Sequence, residues 1–297
     1  MKFFRSPFTG PADFPAMQNL ARAWRTSHLH TTDLPWRLNS WALDDPGNAA
    51  LWRTEAGELV AWAALQTPFW TLDEVLQPEY AAELLPELLA WADERIQAIA
   101  QTEYGHECWF SLAFADQPER IQALEACGWA SQAEVGEDSW SKVWMKQTGP
   151  LPTAPLPPGF TLQPLGNRVE EYVDLQRAVF ESKNMTVPWR QRTTADPAYT
   201  PGCDLVVVAP DGRLAAFCVG WLDGNHGQIE PLGVHADFRS LGLGKAVLAE
   251  GLRQLAAHGA QEIHVETDNF RNAALDLYEW AGFRVERNVL VFRKDYA

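Results

Sequence analysis

Hydrophobic and polar positions along the chain fall into two alternating series. In the second half, apolar residues at β-strand and helix periods predict an ordered α/β string. Gly159 to Pro164 predicts a short strand. Arg168 to Ser182 predicts a helix, with Val169, Tyr172, Val173, Leu175, Ala178 and Val179 at three-to-four spacing. Asp204 to Ala209 and Leu214 to Leu222 flank the turn Pro210-Asp211-Gly212 and read as a hairpin. Gly227 to Val234 predicts a third strand. A long helix, Leu243 to His258, ends at Gly259. Glu262 to Glu266 then predicts a strand, Arg271 to Ala281 a helix, and Phe283 to Arg293 one or two closing strands. A mixed sheet with helices on its faces packs such elements.

The first half repeats this order. Leu51-Trp52-Arg53 and Leu59 to Leu65 surround the turn Glu55-Ala56-Gly57. Pro86 to Ala100 is amphipathic, Glu107 to Ala113 strand-like, and Pro118 to Ala126 helical. Leu277 to Phe283 mirrors Ala123 to Trp129, and Ala236 to Arg239 mirrors Pro78 to Ala81, which implies an internal duplication. Between the halves, residues 148–158 with Gly159 carry five prolines and read as a semi-rigid extended linker. The expected domains are 1–147 and 159–297. A length of 297 residues, with 46% hydrophobic and 21% charged, supports two globular cores.

Charge narrows the partners. The net charge is −15. The first half holds 10 Lys and Arg against 21 Asp and Glu, the second 14 against 18. Nucleic acid and anionic membrane surfaces, which are bound through Lys and Arg, are not expected as partners. The acidity of the first half fits either a cationic acceptor or a solvated face kept for solubility. Cys108, Cys127, Cys203 and Cys218 have neither metal-pair nor disulfide-framework spacing and read as reduced thiols. No secretory leader or apolar run of membrane-spanning length stands out, so a cytoplasmic location is expected, with no metal.

The segment with chemical character is Ile229 to Val247. A strand enters a loop containing Gly242 and Gly244, and a helix follows. The first turn of a helix presents N–H groups with no partner inside the helix, and its dipole adds about half a positive charge. With Arg239 and Lys245 beside it, this is a cradle for an anion such as a diphosphate. A glycine-rich entry loop without a ligand is the plainer alternative. The P-loop pattern fails, because Arg239 stands at its first glycine and Ala246 at its hydroxyl. The dinucleotide pattern fails at Val247.

Arg239-Ser240-Leu241-Gly242-Leu243-Gly244 matches the R/Q-x-x-G-x-G/A signature of the GCN5-related N-acetyltransferase (GNAT) superfamily. Asp268-Asn269 through Leu277-Tyr278-Glu279-Trp280-Ala281-Gly282-Phe283 resembles a second segment of that family. The resemblance covers residues 159–297, and the repeat makes the chain similar to tandem two-domain members. It implies two GNAT-like domains, each a mixed, mostly antiparallel sheet flanked by helices. It also implies acetyl-CoA as donor, with direct acetyl transfer to a primary amine of a small molecule or peptide end. Residues 239–245 would hold the diphosphate, and backbone groups of Leu232, Gly233 and Val234 the pantetheine arm. Asn269 and Asn272 would lie near that arm, and Tyr278 would protonate the departing thiolate. Tyr278 also reads as a core aromatic.

An amine with a pKa of about 10.4 is mostly protonated at pH 7, so a base must take a proton. Glu230 is the first choice, with a salt-bridged strand carboxylate as the alternative; Glu266 is second. His226, His235, His258 and His264 read as surface or hydrogen-bonded residues, Cys218 as a core thiol. Phe180, Met185 and Trp189 read as core residues bordering an acceptor pocket. In the first half Leu84, Pro86 and Leu124 fall opposite Gly242, Gly244 and Tyr278. Bulk and acidity there, from Glu83 and Glu87, predict a degenerate copy. A non-catalytic acyl-CoA sensor or scaffold is the rival reading.

Overall fold

The computed structural model describes residues 2–133, 135 and 139–296. They form two compact units, one of residues 1–142 with 287–297, the other of residues 143–286. The proline-rich stretch lies inside the second unit, where Leu156 packs on the core.

In the first unit the order is β1 (Phe3–Pro7), α1 (Phe14–Ala23), α2 (Leu34–Leu38), β2 (Ala49–Thr54), β3 (Leu59–Gln66), β4 (Thr71–Leu76), α3 (Ala81–Ile99), β5 (Cys108–Phe114), α4 (Pro118–Ala126) and β6 (Ala130–Ser131). The strands β1 to β4 pair antiparallel in sequence order, and β4 then pairs parallel with β5. β7 (Ser141–Gln147) starts at the unit boundary. The second unit continues with β8 (Thr161–Pro164), α5 (Val169–Phe180), α6 (Val187–Ala195), β9 (Asp204–Val208), β10 (Leu214–Asp223), β11 (His226–Val234), α7 (Leu243–Ala257), β12 (Glu262–Asp268), α8 (Asn272–Trp280) and β13 (Phe283–Asp295). The pairing repeats: β8 to β11 antiparallel in order, then β11 parallel with β12. This sequence of pairings is the duplication expected from the chain.

Residues Val289 to Asp295 of β13 pair antiparallel with β5 and complete the first sheet, while β7 lies beyond β12 in the second.

Strand alternation divides the side chains between two faces. In the first unit, Trp52 joins a core beneath α3 with Leu84, Leu88 and Trp109, while neighbouring Leu51 joins Met17 and Trp62 beneath α1. In the second unit, Leu243, Val247, Leu248, Leu252 and Leu255 supply the buried stripe of α7. That helix presses close to β10. A Cβ at Gly251 would stand 2.7 Å from the Cys218 sulfur, so only glycine fits there without a shift. α6 has no apolar period; Thr186 caps it by accepting from the Trp189 N–H, and Pro188 sits in its first turn.

Candidate functional site

The second sheet opens where its parallel pair begins to separate. Pairing of β11 with β12 runs from His226↔Glu262 to Ile229↔Val265 and stops there. On its other side β11 stays paired with β10 up to Ala216↔Val234. The backbone of residues 230–234 therefore faces a gap on the β12 side. A bulge marks the start of this gap. Cys218 faces Leu232 and Gly220 faces Ile229, so Glu230 and Pro231 together oppose Val219. The Trp221 indole donates to the Glu230 backbone oxygen at 2.7 Å, which anchors the bulge.

Beyond Val234 a short turn at Ala236–Phe238 leads to the glycine loop. His235 caps that turn by accepting from the Asp237 N–H. Ser240 and Gly242 both lie at positive φ, 63° and 82°. Gly242 is the N-cap of α7 and makes no side-chain cap, and a Cβ there would meet nothing within 4 Å. The space in front of the helix is thus open, and its first-turn N–H groups face it. Arg239 is exposed and has no ion-pair partner among the described residues. The Lys245 ammonium lies 4.9 Å over the Trp280 ring, which holds α8 against the first turn of α7. These features fit a diphosphate-bearing cosubstrate.

Tyr278 is 6% exposed and packs edge-on to Phe283 at 5.7 Å. It belongs to the core as an aromatic, yet its hydroxyl has no hydrogen-bond partner among the described residues. Burial pushes its pKa up, and the negative charge of Glu230 pushes the same way. The phenol is therefore protonated across the ordinary pH range. Asn269 and Asn272 are exposed at the entry to α8. Glu266 lies on β12, immediately after the last rung paired with β11.

The remaining sequence candidates resolve simply. His226 pairs with Glu262, His264 with Glu286, and His258 with the Gln254 carbonyl. Cys218, Met185 and Trp189 are buried, whereas Phe180, expected in the core, is exposed at 37%. Among the described residues all four cysteines are free, and no cluster of His, Cys, Asp or Glu is arranged to hold a metal. No helix among them is long and apolar enough to cross a membrane.

Sequence reasoning missed a buried polar group on the α5 face of the sheet. Arg190 from α6 pairs with Asp204 on β9, and Tyr199 donates to the same carboxylate at 2.6 Å. The Arg190 guanidinium lies 4.0 Å over the Tyr172 ring. Tyr172 was legible only as an apolar helix position. The Thr186 cap and Pro188 were the available signals for the helix that carries Arg190.

The first unit has the same opening, but it is filled. β4 pairs with β5 only at Thr71↔Phe110 and Leu72↔Ser111. The His28 ring contacts both backbone groups of Leu76, the oxygen at 3.3 Å and the N–H at 3.4 Å. Leu76 is the counterpart of Val234 in the repeat. Arg120 donates to the Leu112 carbonyl at 2.8 Å and to Ser111 at 3.1 Å, and pairs with Glu74. Arg37 holds Asp73 through two hydrogen bonds. What remains is a cavity of about 30 Å³, the room of one water. The glycine loop is also gone: the turn at Pro78–Tyr80 runs directly into α3 at Ala81.

Residues 169–283 match the acetyltransferase (GNAT) family. A mycothiol acetyltransferase of Clavibacter michiganensis is 36% identical over 137 residues, 44% of this chain and 44% of its own length. Another, of Kineococcus radiotolerans, is 28% identical over 203 residues, 66% of this chain and 62% of its own. The matched stretch thus spans less than two thirds of either relative. Among solved structures, a GCN5-related N-acetyltransferase from Sphaerobacter thermophilus aligns with a TM-score of 0.68 at 21% identity, covering 99% of this chain and 95% of that one. A tandem GNAT protein from the clavulanic acid biosynthesis pathway aligns at 0.67 and 14%, covering 99% and 98%. Both likenesses concern the fold.

Proposed function

We propose that this chain, whose residues 169–283 match the GNAT acetyltransferase family, moves an acetyl group from acetyl-CoA directly to a primary amine on a small molecule or a peptide end. The observation that carries the proposal is the splayed pair β11/β12 leading into an open, glycine-capped helix N-terminus. The backbone at Leu232, Gly233 and Val234 offers strand-like hydrogen bonds to a pantetheine arm. The amides of residues 240–244, with Arg239 and Lys245, offer the charge and donors that a diphosphate needs. Asn269 and Asn272 lie on the other rim.

Glu230 stands at the bulge, where the strands part, and takes the proton the amine must lose, directly or through water. The amine nitrogen bonds to the acetyl carbon, the carbon–sulfur bond breaks, and the Tyr278 O–H protonates the departing thiolate. Its raised pKa keeps that proton in place until the sulfur charge develops. The first unit does no transfer in this reading. Its gap is occupied by His28, Arg120 and their partners, so it serves as a structural copy.

The relatives carry the name mycothiol acetyltransferase, which makes an acceptor of the mycothiol type the first to assay. Tyr278→Phe tests the reading. Loss of the acid lowers turnover by about 10²-fold or more, with acetyl-CoA affinity retained. A chain that binds acetyl-CoA and transfers to no amine would instead be a non-catalytic acyl-CoA sensor.

A further inference from the structure

Three neighbouring strands of the second unit share one rung near the bulge. Asp204 of β9 faces Val219 of β10, and Val219 faces Glu230 and Pro231 of β11. Helix α5 packs beside this rung, over the neighbouring Phe217↔Gly233 pair. Its residues Tyr172, Gln176 and Val179 lie on one face, at i, i+4 and i+7. Val179 presses on β11 so closely that a Cβ at Gly233 would stand 2.5 Å from it. Two turns back along the helix, Tyr172 meets Phe217 edge-on at 5.2 Å and carries the Arg190 guanidinium on its ring. Arg190 is tied to Asp204, which places Tyr172 above the rung that ends at Glu230.

The Tyr172 side chain is wholly buried, and its hydroxyl has no hydrogen-bond partner among the described residues. The Gln176 side-chain oxygen beside it is unpartnered too. A buried hydroxyl left without a partner is costly, so a group that completes it is expected. Burial keeps the phenol protonated, and the negative charges of Asp204 and Glu230 act in the same direction against Arg190. It is thus a fixed donor.

We propose that Tyr172 is a positioning residue for Glu230: its buried hydroxyl donates, directly or across one water, to the Glu230 carboxylate and holds it toward the gap between β11 and β12. Tyr172 keeps its own proton, and the carboxylate receives the proton from the amine. The inference rests on Glu230 being the base in the function proposed above. Among the described residues, the charged and titratable groups on the elements about Glu230 include Tyr172 on α5, Arg190 on α6, Asp204 on β9, Cys218 on β10, Glu266 on β12 and Tyr278 on α8; the Glu230 charge acts on both tyrosines.

The test reads Glu230 itself, in the full chain, by carbon-13 NMR of its side-chain carboxyl, assigned with Glu230→Gln. Tyr172→Phe keeps the ring against Phe217 and Arg190 and removes only the hydroxyl. The carboxyl is expected to titrate about one pH unit higher in the variant, since a lost donor disfavours the charged form. The acid limb of kcat/KM moves up with it, and kcat falls about tenfold with the KM for acetyl-CoA unchanged. In the unmutated chain the Tyr172 Cζ resonance should inflect at the Glu230 titration and lose that inflection in Glu230→Gln. This second readout needs no change at position 172. A Glu230 titration unmoved in folded Tyr172→Phe, or no inflection at Cζ, overturns the proposal. Neither NMR readout needs turnover, so absence of acetyl-CoA binding would sink the functional reading separately.

Discussion

At the scale of single residues, the two units treat equivalent positions in opposite ways. The Val234 backbone faces a gap, whereas that of its counterpart Leu76 is taken by the half-buried His28 ring. Burial and the nearby Arg120 charge lower the His28 pKa to about 3. An unfolded histidine titrates near 6.5. Between these values the unfolded chain binds a proton that the folded chain does not, so stability falls as pH drops below about 6.5, by about 1.4 kcal/mol per pH unit from this residue. Denaturant melts from pH 7 to pH 5 should show that slope, and His28→Gln should flatten it. Arg120 stands beside His28 with Glu74 as its partner. Arg120→Met leaves that carboxylate buried and uncompensated and should cost about 3–5 kcal/mol, while Arg120→Met with Glu74→Leu should recover most of it. Chemical denaturation of the three proteins reads the difference.

At the scale of elements, periodicity reached α5, α7, α8 and β9 to β12 because each has an apolar stripe facing one core. It did not reach β4, whose Asp73 and Glu74 interrupt the apolar run; arginines from distant segments neutralise them. It did not reach α6, whose buried side chains include Arg190 and Thr193. The cradle was legible because its residues, Arg239 to Lys245, are consecutive. The group of Tyr172, Arg190, Asp204 and Glu230 was not, since β-pairing and helix docking assemble it from four separate elements. The closeness of α7 to β10 gives a further prediction. Gly251→Val drives a side chain into the Cys218 sulfur and should destabilise the chain by about 1–3 kcal/mol, read as a lowered melting temperature. At the N-cap the constraint is conformational rather than steric: Gly242→Glu meets no atom within 4 Å but puts a side chain at positive φ, which costs about 1–2 kcal/mol, and its carboxylate occupies the anion cradle and should cut acetyl-CoA affinity by about 100-fold or more.

At the scale of the whole chain, the two units repeat one order of strand pairings and one gap between parallel strands. Only the second retains an open glycine loop with a positive-φ N-cap. The central claim is that a single unit holds acetyl-CoA. Calorimetric titration of acetyl-CoA into the full chain tests it most directly, alongside an Arg239→Glu, Gly242→Glu double variant. The account predicts one site per chain, abolished in the double variant. Two sites, or a site that survives the double variant, would contradict it, and no binding at all would leave the fold without the proposed chemistry.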